Sequence, residues 1–84
     1  MRVMIERKFI TTFPEVMGYD IVESKGVIAA SSGFGMEKLF KDLTKKAEKD
    51  GCNAIVNLKM FTSYGGAIMA YGEGAVVKEK PFNY

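Results

Sequence analysis

The chain has 84 residues, a net charge of +2, one cysteine and no histidine. A domain of this size buries only about 60% of the surface that its unfolded chain exposes, so its own core is marginal. The lone Cys52 excludes an internal disulfide, and one thiolate without histidine falls short of the three or four ligands that zinc takes. Because small domains without these supports commonly associate with copies of themselves, we predict a homo-oligomer.

Charge and hydropathy argue against two classes of partner. Lys and Arg are mixed with Asp and Glu along the chain, whereas a nucleic-acid-binding surface needs clustered cations. No apolar run approaches the roughly 20 residues of a membrane span. Residues 1–8 carry charges where a signal peptide has its apolar stretch. We therefore expect no nucleic-acid or membrane partner, and the lone cysteine favours a reducing, cytoplasmic location.

The first part of the chain favours extended structure. Aromatic and β-branched side chains at residues 9–12 would add an N-terminal strand to the fold. Pro14 ends this segment, because proline cannot donate to a strand ladder. Residues 19–30 form the first strand proper. Gly26 within it indicates a β-bulge or the close approach of another backbone.

A helix is predicted over residues 36–50, because apolar side chains recur there at helical spacing while the other face is charged. Gly51 suits the left-handed position after the last turn. The SSGFG loop at residues 31–35 allows two interpretations: the helix N-terminus binds an anion, or Ser32 or a neighbour caps it. Capping is the simpler of the two. The apolar stripe consists of Met36, Leu39, Phe40, Leu43 and Ala47.

Two further strands are predicted at residues 54–62 and 67–78, joined by a hairpin at residues 63–66. The order is then β-α-β-β, which makes a two-layer α+β domain with one helix on a mainly antiparallel sheet. Strand alternation places every second side chain of the middle segment under the helix. These side chains are Ala54, Val56, Leu58 and Met60.

The opposite face of the sheet is predicted to be apolar and uncovered. Exposed apolar area on that scale usually marks an interface. Asn57 and Lys59 share this face, where they either line a channel between subunits or are solvated. The predicted oligomer interface consists of Ile55, Phe61, Ile68 and Val76.

Three segments together resemble the YbjQ-like family of small bacterial and archaeal proteins. They are GYDIVESKGVI at residues 18–28, KAEKDGCNAIV at residues 46–56 and AYGEGAVV at residues 70–77. The second is similar to the family's helix end and following strand, and the third to its glycine-rich last strand. The likeness spans about residues 10–78 of one domain that covers residues 1–84.

The resemblance implies a dodecin-like β-α-β-β subunit that closes into a pentamer with a barrel-like assembly of strands. It also implies membership of a family that is often labelled a heavy-metal-binding domain, in which no enzymatic activity is established. One archaeal relative is described as binding selenium through a cysteine. This chain departs from the family at residues 31–35, which replace a longer glycine-rich stretch, and at Cys52, where the family more often has alanine.

Cys52 allows two interpretations. A thiolate would be a soft ligand for selenium or a heavy metal. A free cysteine is more often a small buried hydrophobe, and the negative end of the preceding helix disfavours the thiolate. The thiol is therefore a speculative ligand, and no metal is assigned.

No catalytic set can be assembled from the sequence. The pairs Gly65-Gly66 and Gly72-Gly74 precede no helix, so they indicate turns and bulges rather than a phosphate loop. Glu73 has no orienting partner, which a general acid or base requires. We expect a non-enzymatic, homo-oligomeric binding protein for a small ligand, a soft metal or a selenium species, with no cofactor identified. The alternative is a structural or interaction module without a ligand.

Overall fold

The structure, a computed structural model, describes residues 5–63 and 65–81. Its elements are a short 3-10 helix at Arg7–Phe9, β1 at Tyr19–Ser32, α1 at Met36–Lys49, β2 at Ala54–Thr62 and β3 at Ile68–Glu79. The strands form an antiparallel sheet in the order β1-β3-β2, which carries α1 on one face. The predicted α+β class, with one helix and a mainly antiparallel sheet, is confirmed.

The end of α1 follows from Gly51, as predicted. Gly51 adopts φ +83°, which costs glycine little. Its N–H donates to the Glu48 carbonyl at 3.0 Å, and the Cys52 N–H donates to the Ala47 carbonyl at 2.9 Å. This pair of bonds is the Schellman arrangement, which satisfies the last carbonyls and turns the chain into β2.

The predicted N-terminal strand is wrong for the described residues. Residues 7–9 form the 3-10 helix, and Ile10 makes only an isolated parallel bridge to Ile55. Beyond it, the chain follows the outer edge of β2 through backbone bonds between Thr11 and both Ile55 and Leu58, and from Asn57 to the Phe13 carbonyl. Residues 1–4 of the predicted segment lie outside the described residues. The outer edge of β2 is therefore covered at residues 55–58 by an irregular segment.

A kink in β2 changes which side chains lie under the helix. Asn57 has φ +55°, and the pairing with β3 jumps from Val56–Glu73 to Lys59–Tyr71. The extra residue breaks the alternation, so Ile55 and Leu58 both join the helix-side core. The predicted placement of Ala54 and Val56 under the helix is wrong, because both belong to a cluster on the opposite face.

That opposite face is partly covered by the chain itself. Residues from the N-terminal segment and from β1 pack over the end of the sheet where β2 begins and β3 ends, here called the lower half, and shield it from water. Val16 is 7% exposed there, and Phe9 contacts Tyr19 edge to face with ring centroids 4.9 Å apart. The cluster consists of Val16, Ala54, Val56, Ala75 and Val77, with Phe9 and Tyr19 packed against it.

Three residues of the predicted oligomer interface lie on the helix side of the sheet. Ile55 is fully buried in the helix-side core, and Ile68 packs against that core. Val76 shares a face with Gly74, which approaches Ile28 and Cys52 of the same core. Their assignment to the uncovered face is therefore wrong. For Ile55, the cause is the assumption of unbroken alternation along β2 from Ala54 onward.

Phe61 does lie on the uncovered face, beside residues that were not predicted to form part of it. In the other half of the sheet, the register is unbroken between β3 and residues 26–32 of β1 and 59–62 of β2. This register places four side chains on the face away from α1: Phe61, Met69, Tyr71 and Val27. These four side chains, here called the open-face cluster, retain between 36% and 78% of their exposure.

The strand β1 lies at the other edge of the sheet. Its pairing with β3 shifts between Ile21 and Glu23 and again between Ser24 and Gly26, where the glycine has φ +99°. The bulge predicted at Gly26 is confirmed. Bulges twist an edge strand and hinder its pairing with another chain.

Gly72 is expected to be indispensable for the packing of β3 against the kink. A Cβ at this position would lie 2.9 Å from Ile55 Cγ2 and 3.1 Å from the Val56 carbonyl oxygen, and backbone cannot move aside cheaply. We predict that Gly72→Ala lowers the free energy of unfolding in urea by about 1–3 kcal/mol. Gly65→Ala, which meets nothing within 4 Å, is the matched control. Equal stabilities of the two variants would contradict the tight contact.

Candidate functional site

Cys52 lies in the helix-side core. Its side chain is 6% exposed and packs where β3 comes closest, with Sγ 2.8 Å from the position that a Cβ on Gly74 would take. Leu43 and Ile55 belong to the same cluster. The structure thus places the candidate ligand among hydrocarbon side chains, as the interpretation of a small buried hydrophobe predicts.

The electrostatic surroundings keep the Cys52 thiol protonated. Burial raises the pKa of this thiol, and the negative charge of Asp50 raises it further. Lys25 acts in the opposite direction, and Glu23 adds to the increase. Since the thiolate is the nucleophile and the metal ligand, the folded chain presents a poor soft ligand at neutral pH.

Other metal ligands are not gathered around Cys52. Among residues 5–63 and 65–81, no three Cys, Asp or Glu side chains come close enough together to hold a metal ion. The structure therefore assigns no metal to a site within the described part of one chain.

The turn predicted at Gly65-Gly66 is confirmed at Gly66, whereas Gly72 and Gly74 mark close contacts rather than the predicted bulges. Gly66 has φ +87°, and its N–H donates to the Ser63 carbonyl at 3.1 Å. Tyr64 of the predicted hairpin lies outside the described residues. Gly72 and Gly74 lie in β3 and face the core, with the half-buried Glu73 between them on the other face.

The loop before α1 is not capped in the predicted way. The N-cap residue is Gly35, which has φ +108° and no side-chain bond to the helix. The Ser32 hydroxyl accepts a 3.0 Å hydrogen bond from the Phe34 N–H, which lies before the first helical residue. Ser32 therefore shapes the loop, while side-chain capping of α1 by Ser32 is wrong.

A cleft that the sequence did not reveal lies beside this loop. It has a volume of about 490 Å³ and separates the first turns of α1 from the N-terminal segment. The guanidinium carbon of Arg7 lies 4.3 Å from the centroid of the Phe40 ring. Residues that define the cleft include Ile5, Arg7, Ile10, Phe34, Phe40 and Lys41.

Charge on this cleft is predominantly positive. Arg7, Lys38 and Lys41 line it, against one carboxylate, that of Glu37. Lys38 is engaged with Asp42 at 3.4 Å. No sequence signal pairs Arg7 with Phe40, because they come together only when the N-terminal segment folds onto α1. We call this site the basic cleft.

The second candidate surface is the open-face cluster. The rings of Phe61 and Tyr71 meet edge to face with centroids 6.2 Å apart. Lys59, which pairs with Tyr71 across the strands, is exposed on the same face. Asn57 is exposed as well, but its positive φ makes it part of the kink.

Fold and surfaces define a small α+β protein with a buried thiol, an open sheet face and a basic cleft. No family model matches the chain, and no curated protein matches it. Among solved structures, it is similar to a protein of unknown function from Pediococcus pentosaceus ATCC 25745 that belongs to the DUF74 family. The two share 25% sequence identity and a TM-score of 0.51, over 89% of this chain and 100% of that chain.

The likeness agrees with the fold described above and carries no activity, because the function of that protein is itself unknown. In the described part of the chain, α1 is too short and too charged to cross a bilayer, and no other helix could do so.

The thiol is expected to react slowly while the chain is folded. Because Cys52 is buried and its pKa is raised, we predict that dithionitrobenzoate at pH 8 modifies the native protein at least about tenfold more slowly than the protein in denaturant. Absorbance of the released aryl thiolate measures both rates. Similar rates in the two conditions would show that the thiol is accessible.

Proposed function

We propose that this protein is a non-enzymatic subunit of a homo-oligomer and that the open-face cluster forms the contact between copies. The observation that carries the proposal is the exposure of Phe61, Met69, Tyr71 and Val27 on one continuous face, at 48%, 36%, 41% and 78%. Grouped exposure of large apolar side chains is costly in water and typical of an interaction surface.

The composition of this face is suitable for an interface. Aromatic and methionine side chains are enriched where proteins associate. Lys59 and Glu73 lie on the same face at the margin of the cluster, where polar groups would remain solvated. The opposed charges of Lys59 and Glu73 also permit a head-to-tail contact, in which Lys59 of one copy lies near Glu73 of the next copy around a closed ring.

The edge strands favour contact through the face over pairing through an edge. The outer edge of β2 is followed by residues 10–13. On β1, the Lys46 ammonium donates to the Ala29 carbonyl at 2.7 Å, and two register shifts distort the lower half of the strand. Lysines and bulges at an edge hinder the addition of another strand.

Five copies are the number that the resemblance to YbjQ-like proteins supports. The fold shared with a DUF74 protein of unknown function is consistent with that relationship, at 25% identity. An unpaired, buried cysteine also fits a reducing compartment, so a cytoplasmic location is part of the proposal.

The non-enzymatic part of the proposal is supported by the state of the reactive groups. Burial raises the pKa of the Cys52 thiol, and among the described residues no side chain is hydrogen-bonded to Glu73, which lies between two glycines. The same burial counts against a selenium or heavy-metal site at Cys52. Between the two alternatives from the sequence, the geometry favours an oligomeric module without a thiol-bound ligand.

The oligomer can be tested by light scattering coupled to gel filtration. We predict a wild-type mass that is a multiple of the 9.3 kDa chain mass, five being the expected multiple. Phe61→Asp places a charge in the open-face cluster and should lower the mass toward that of one chain, because burying an unpaired carboxylate is costly. Met17→Asp, at a side chain 94% exposed outside the cluster, is the matched control and should retain the wild-type mass.

A wild-type mass near that of one chain at micromolar concentration would contradict the oligomer. An oligomer that is equally insensitive to both substitutions would contradict the assignment of the contact to the open-face cluster.

A second experiment tests the thiol as a ligand. Wild type and Cys52→Ala are incubated with selenite and thiol, or with mercury or zinc salts, and are desalted before elemental analysis. We expect equal uptake by the two proteins, because the folded chain keeps Cys52 buried and protonated. Stoichiometric uptake that is lost in Cys52→Ala would instead establish a cysteine-dependent site.

A further inference from the structure

We propose that the basic cleft binds a small planar apolar carboxylate, of the size of a one- or two-ring aromatic acid. The cleft lies within one chain, between the 3-10 helix and α1, and does not include the open-face cluster. Its volume of about 490 Å³ lies within the range of about 300–1,000 Å³ that is usual for small-molecule sites.

Contacts within the chain hold both walls of the basic cleft. On one side, the Ile5 N–H donates to the Glu48 carboxylate at 3.0 Å, which ties the N-terminal segment to the helix. Ile5 itself is 7% exposed and belongs to the helix-side core. On the other side, α1 is anchored by its buried stripe, including Leu39 and Leu43. A preformed site loses little conformational entropy on binding.

The apolar part of the cleft suits a flat hydrocarbon surface. Ile10 and Phe40 are half-buried and contribute apolar area to the lining. Phe34 is 88% exposed at the rim, although it is a large aromatic side chain. None of the described residues buries this ring, and an aromatic ligand in the cleft would cover it. Aromatic side chains in such sites supply contact area for planar ligands.

The charged part of the cleft selects the ligand's polar group. The Arg7 guanidinium lies over the Phe40 ring in a cation-π contact, and both residues line the cleft. Within the described residues, no carboxylate lies within ion-pair distance of Arg7 or Lys41. A guanidinium donates in parallel to both oxygens of a carboxylate, so an acid beside an apolar ring satisfies both halves of the site.

The test uses the full chain and 2-naphthoate as the probe. Calorimetric titration gives the affinity, and backbone amide shifts give the location. We expect saturable binding with shifts around Arg7, Phe34 and Lys41, and an affinity at least about tenfold higher than that of neutral 2-naphthamide, which corresponds to about 1.4 kcal/mol. Arg7→Gln should abolish the preference for the acid. Lys45→Gln, an exposed residue of α1 that does not line the cleft, is the matched control and should keep it.

Three results would overturn the proposal: equal affinities for the acid and the amide, shifts confined to the open-face cluster, or no saturable shift at millimolar probe. Should Arg7→Gln disturb folding, as seen in its amide spectrum, Lys41→Gln removes the second cation without touching the Phe40 stack. The monomeric form sought with Phe61→Asp should bind the acid as tightly as wild type, so failure of the oligomer and failure of the cleft are distinguishable.

Discussion

The fold depends on the kink at Asn57, where the alternation of side chains between the two faces of β2 is interrupted. Without this extra residue, Ile55 and Leu58 could not both face the helix. They are three positions apart, and residues an odd number of positions apart lie on opposite faces of a regular strand. The kink is possible because asparagine tolerates the left-handed region and because Gly72 offers no side chain where the two strands come closest. One strand thereby contributes to a core on each side of the sheet.

The N-terminal segment bonds to the backbone of β2 at the kink and covers part of both sheet faces. Thr11 and Phe13 bond to β2 around the kink and use backbone groups that its outer edge would otherwise expose. The same segment brings Val16 over the lower sheet face and Ile5 onto α1. Among residues 5–63 and 65–81, this packing covers only the part of the sheet face that contains Ala54 and Val77, against which Val16 lies. The open-face cluster is the part of that sheet face that the described residues leave exposed, which is why the proposed contact lies there.

The positions of the helix and the strands could be predicted from the sequence, because neighbouring residues determine them. The sheet face on which each side chain lies could not. The helix was recognised from the spacing of its apolar stripe and from Gly51, and Gly26 correctly marked a bulge. The burial of Cys52 also followed from ordinary cysteine behaviour. Residues 54–56 of β2 were assigned to the wrong faces because a positive φ at asparagine leaves no trace in an alternating pattern. The basic cleft was missed because a contact between distant residues decides it.

The two proposed surfaces lie on opposite layers of the domain. The open-face cluster is on the side of the sheet away from α1, whereas the basic cleft is formed by α1 itself and the N-terminal segment. A ligand in the cleft would therefore not compete with another copy for the same side chains. The physical link between them is short: Ile10 lines the cleft, and its neighbour Thr11 bonds to β2 on both sides of the kink. The backbone bonds of Thr11 thus connect the lining of the cleft directly to the strand that carries Phe61, and this segment is a direct route for coupling between ligand binding and self-association.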